Sequence, residues 1–115
     1  MSAVGPCRFD FSAALGSVES FIETAQLLEN TGVMAYDGAI RYVDAGGNLQ
    51  AGAQIATVEA RHAAYLNLIN GDSPFPTAFD MGTKPSEIVE AVLDTGFVVP
   101  ESCPPEVLAL FSRLP

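Results

Sequence analysis

From Ser17 onward, apolar and small residues recur at helical spacing. The stripe Ile22, Ala25, Glu29, Gly32, Tyr36, Ala39 and Val43 advances by alternating steps of three and four, the seam of a helix packed in a bundle. It predicts a helix from Ser17, an N-cap followed by Glu19 near the positive helix end, to about Asp44. Asp37 and Arg41 fall four apart on another face, where an exposed ion pair is expected. The run Ala45-Gly46-Gly47-Asn48 ends this helix, with Gly supplying the C-cap and Asn48 able to cap the next helix. A second helix is predicted over about Leu49 to Asn70, its seam Ile55, Glu59, His62, Leu66 and Ile69, with Gly52 and Ala56 admitting a neighbour. Asn70-Gly71 stops it. The short connection makes the two helices an antiparallel hairpin (17–71) with arms of roughly 40 and 33 Å.

The pattern then changes. Residues 72–83 carry Pro74, Phe75, Pro76 and Phe79 and predict an extended segment wrapping along the hairpin. Two short helices are expected after it, one from near Thr83 with Pro85 in its first turn, the other after Ser102 led by Pro104 and Pro105. Residues 1–16 predict an irregular lead-in with Phe9 and Phe11 available for packing. The whole, residues 1–115, is expected to be one all-α unit: a long helical hairpin and a tail of short helices.

Three polar groups interrupt the apolar seams: Glu29 on the first long helix, Glu59 and His62 on the second. Burying a carboxylate or an imidazole without a partner costs several kcal/mol, so a compensating partner is expected. With Gly46 as the tip, the three lie at heights of roughly 25, 20 and 24 Å along the arms. Residues three apart share a helix face, so Glu59 and His62 can reach one cation while Glu29 approaches from across the seam. Carboxylates with an imidazole suit iron, manganese or zinc. The other reading is a hydrogen-bonded polar pair that fixes helix register.

The stretch Leu28-Glu29-Asn30-Thr31-Gly32-Val33-Met34-Ala35-Tyr36-Asp37-Gly38-Ala39, followed by Val58-Glu59-Ala60-Arg61-His62-Ala63-Ala64, resembles the second helix pair of the ferritin-like domain of desiccation-related proteins and fungal stress-response proteins. The run Pro74-Phe75-Pro76-Thr77-Ala78-Phe79-Asp80, leading to Ile88-Val89 and Gly96-Phe97, is similar to the C-terminal extension of bacterial members. The resemblance implies half of a four-helix bundle around a dinuclear iron or manganese site. In it Glu29 is the single-helix carboxylate, Glu59 the ligand able to bridge two metals, His62 the terminal imidazole, and Tyr36 a neighbour of the site. It implies ferroxidase-like or peroxide-consuming chemistry in a stress role.

A complete domain of that family has an earlier helix pair with its own Glu and Glu-x-x-His. This sequence has one histidine, so the missing pair is expected from a second copy in a two-fold dimer or from a different polypeptide, unless the chain is a processed piece. The alternative is a structural or interaction subunit that keeps the bundle without metal. Family members enter a secretory route through an N-terminal signal, so export is expected where such a signal precedes Met1.

Composition narrows the partners. Five basic against 14 acidic residues give a net charge of -9, which opposes docking on nucleic acid or anionic membranes. Met1 to Asp10 lacks the blocks of a signal peptide, and no apolar run is long enough to span a bilayer. Neither a nucleophile elbow nor a phosphate-binding glycine loop is present. Cys7 and Cys103 have no metal-ligand spacing with each other or with His62. They are read as unpaired thiols, with a disulfide the alternative in an oxidising compartment.

Overall fold

The computed structural model describes residues 5–115; the first four, with their share of the predicted lead-in, lie outside the described residues. Two long antiparallel helices dominate, α1 at Val18–Ala39 and α2 at Gly47–Ile69. Ser17 caps α1 as the sequence suggests. Its hydroxyl accepts from the Ser20 N–H while the Ser20 hydroxyl accepts from the Ser17 N–H, so two N–H groups with no partner inside the helix are satisfied at once.

The hairpin tip departs from expectation. α1 ends at Ala39, five residues before Asp44, and Ile40–Tyr42 tighten into a 3-10 turn. The predicted Asp37–Arg41 pair does not form among the described residues: the winding changes between the two, Arg41 is exposed, and Asp37 faces Asp80 instead. The chain turns at Gly46, whose φ of 151° favours glycine and which is itself the N-cap of α2. Asn48 consequently lies inside the first turn of α2 and caps nothing.

The arms meet along a strip beside the predicted seams. Val33 on α1 and Ala63 on α2 are buried there. Asn67, also buried, accepts on Oδ1 from the side-chain amides of Gln26 at 3.0 Å and Asn30 at 2.8 Å. Gln26 reaches on to Asp72 at 2.7 Å, and Asn70 donates to the Gln26 side-chain oxygen. This amide ladder favours one register, because sliding either helix would leave the buried Asn67 amide without its partners.

Residues 72–83 meet the hairpin at their end, and Phe75, Phe79 and Met81 are left exposed. Thr83 donates its N–H to the Met34 carbonyl at 3.0 Å. The contact requires Gly38 and Gly82: a Cβ on Gly38 would collide with the Thr83 backbone, and one on Gly82 would stand 2.8 Å from the Asp37 backbone. This strap lies on the side of α2 bearing Ala60 and Ala64, about half a turn from His62, and leaves the His62 side uncovered. Beyond it, α3 at Pro85–Asp94 has Pro85 in its first turn and packs on α1, and α4 at Pro105–Phe111 follows the predicted prolines.

Two short strands were not evident from the pattern. β1 at Arg8–Phe9 pairs antiparallel with β2 at Val98–Val99, joining lead-in and tail. The unpaired-thiol reading of the cysteines is overturned, because this pairing brings Cys7 and Cys103 together and they form a disulfide.

Candidate functional site

The site stands on one level of the hairpin. Val18, Ile22, Ala25, Glu29, Gly32 and Tyr36 share a face of α1, and Ile55, Glu59, His62, Leu66 and Ile69 share a face of α2. Glu29, Glu59 and His62 each offer one ligand atom within 4.8 Å of the other two. The His62 Nδ1 lies 3.2 Å from the Glu29 Oε2.

Two local features set this geometry. Glu59 and His62 stand one turn apart on α2, so both side chains emerge on the same side. Gly32 on α1 lies directly opposite, where a Cβ would approach the Glu59 Oε2 to 2.9 Å. The missing side chain is the space the Glu59 carboxylate occupies.

Electrostatically, the pair of carboxylates is uncomfortable without a cation. Its hydrogen bond to Glu29, its partial burial and the Glu29 charge push the Glu59 carboxyl above the usual carboxylate range, while His62 pulls the other way. The two carboxylates bring like charge together, and a cation between them would relieve it.

The cluster opens outward. The His62 side chain is 56% exposed and that of Glu29 27%. Large apolar residues are left exposed along both arms, Ile55, Val58, Tyr65 and Ile69 on α2 and, two or more turns from Glu29, Val18 and Phe21 on α1. Tyr36, expected nearby, lies one turn beyond Gly32 and lines a recess of about 240 Å³ with Ile55 and Gly52. Among the described residues its hydroxyl makes no hydrogen bond to the three.

The family profile described as the ferritin-like domain matches residues 1–72, which include both arms of the hairpin. The chain belongs to the ferritin-like domain family. No curated protein matches it. The sequence places Glu29, Glu59 and His62 at one level, and the structure brings their side chains together. The amide ladder was missed: Asn67 stands off the apolar stripe, and its one sequence signal is a run of amides, Gln26, Asn30, Asn67 and Asn70, near the open end of the hairpin.

Proposed function

We propose that this ferritin-like chain binds iron or manganese through Glu29, Glu59 and His62, and that a second copy supplies the facing helix pair to complete a dinuclear site. The observation that carries the reading is the convergence of three ligand atoms within 4.8 Å across the two helices. The donor chemistry fits: two carboxylates and an imidazole suit iron and manganese, and Gly32 leaves the space that lets Glu59 reach the others. A dinuclear carboxylate centre, when bound, supplies redox chemistry toward oxygen or peroxide.

The chain's own residues would act in distinct ways. Glu29 and Glu59 would each contribute a negatively charged carboxylate, one from each helix. His62 would contribute an imidazole nitrogen at the open side, and its contact with Glu29 orients the ring. The apolar residues around the cluster exclude water once a second helix pair covers them. The single Glu and the Glu-x-x-His of one hairpin are half of a four-carboxylate, two-imidazole set, and a two-fold axis through the open face would supply the rest. The resemblance to desiccation-related and fungal stress-response proteins supports a role in metal handling or oxidant removal under stress.

Glu59→Ala and His62→Ala test the assignment. Both are expected to keep the helical circular dichroism of the wild type and to lose bound metal. Unchanged metal content in both variants would remove the site from these residues.

A further inference from the structure

The hairpin site makes no use of the unit built from lead-in and tail. Its backbone contacts are few. Arg8 and Phe9 pair with Val99 and Val98, Asp10 donates its N–H to the Phe97 carbonyl at 2.8 Å, and Arg8 donates its N–H to the Ser102 hydroxyl at 2.7 Å. Phe11 packs between Phe9 and Phe97 with ring centroids at 5.9 and 5.1 Å, yet Phe9 remains 54% exposed. Strands of two residues with a half-open aromatic cluster do not hold together independently. Even so, Val98 and Cys103 in this unit are among the few buried apolar residues of the molecule. A covalent bond, Cys7–Cys103, accounts for that difference.

We infer that lead-in and tail form a cap closed by the Cys7–Cys103 disulfide, and that the protein matures in a compartment that oxidises this pair. The bond joins residues separated by 96 positions, so the ring it closes contains both hairpin arms, the strap and α3. While it is closed, the tail stays beside the start of α1. A ring of that size removes much of the freedom of the unfolded chain. Disulfides form and persist where the surroundings are oxidising and are reduced in a thiol-rich cytosol. Closure proceeds by exchange with a disulfide-class oxidant. One thiolate attacks the oxidant and forms a mixed disulfide, the second displaces it, and an S–S bond forms. Two electrons and two protons leave the protein, and the oxidant departs as a dithiol.

The test uses the full chain produced by export to an oxidising compartment and, separately, in a reducing cytosol. Each is denatured and alkylated with iodoacetamide, and its mass is measured. The exported protein is expected to take up no label, and to take up two labels after dithiothreitol. Hydrogen exchange is then measured after dithiothreitol treatment of the folded, exported protein. Amides of residues 8–10 and 97–103 are expected to exchange at least about tenfold faster, while those in the middle of α1 and α2 keep their protection. The cytosolic protein should match the reduced sample. Two labelled thiols in the exported protein would overturn the inference. So would unchanged exchange in the cap after reduction, or equal loss of protection throughout the hairpin.

Discussion

Gly32 and Glu59 set the chemistry at the scale of single residues. A glycine in mid-helix costs about 1 kcal/mol relative to alanine, and here that cost leaves room for a carboxylate. Gly32→Ala separates the two effects. The new methyl meets the end of a flexible side chain, so the helix is expected to fold with stability within about 1 kcal/mol of the wild type, while Glu59 swings away and metal affinity falls by about tenfold or more. Urea unfolding beside a metal-binding isotherm checks both halves; unchanged affinity would show that Gly32 makes no room for a ligand.

Protonation of Glu59 gives a second outcome at this scale. Its carboxyl is raised in the folded chain by Glu29 and by burial, so the metal-free protein holds this proton more tightly than the unfolded chain does. The stabilisation from that proton is fully present below the ordinary carboxylate value and is lost as pH rises through the raised folded value. A metal ion must displace the proton, so affinity is expected to fall as pH drops through the same value, by about tenfold per pH unit for each proton displaced. Isotherms measured across the acid range should show this slope in the wild type and a shallower one in Glu59→Gln.

At the scale of elements, what was legible depended on whether the signal was local. Ser17 at the start of α1 and Pro85 in the first turn of α3 carry their structural preference in one or two residues, and each marks a boundary where expected, whereas Gly46, expected to cap the end of the first helix, caps the start of α2. The early end of α1 was hidden because its 3–4 spacing continues through Ala39 and Val43 while the backbone winding changes at Ile40. The amide ladder could not be read before the register of the arms was known. Nor could the cystine, since its partners meet only after the tail folds back onto the lead-in. The strap depends on a backbone-to-backbone approach at Gly38. Gly38→Ala is therefore expected to cost about 2 kcal/mol, far more than Gly32→Ala, because a backbone segment has to move instead of a side-chain tip. Limited proteolysis should then cut within residues 72–83 faster than in the wild type, and resistance equal to the wild type would count against the docking.

Across the whole molecule, surface area separates this chain from a compact monomer. A compact protein of 12.1 kDa is expected to expose about 6,000 Å², whereas this chain exposes 7891 Å². Its radius of gyration is 15.2 Å against about 13 Å for a compact chain of this length. Thr83 at the end of the strap, and α3, pack against α1. The side bearing Glu29, Glu59 and His62, flanked by Phe21, Ile55 and Tyr65, stays open. The excess of surface is more than the roughly 800 Å² that one partner buries in a stable interface, and part of it lies on the strap, where Phe75 and Phe79 are 81% and 85% exposed. The measurement that bears most directly on this account is the metal content, per chain, of protein purified without chelator and then supplied anaerobically with ferrous iron. The account predicts about one iron or manganese ion per chain, as for a dinuclear site shared by two copies; a content near zero before and after iron addition would contradict it.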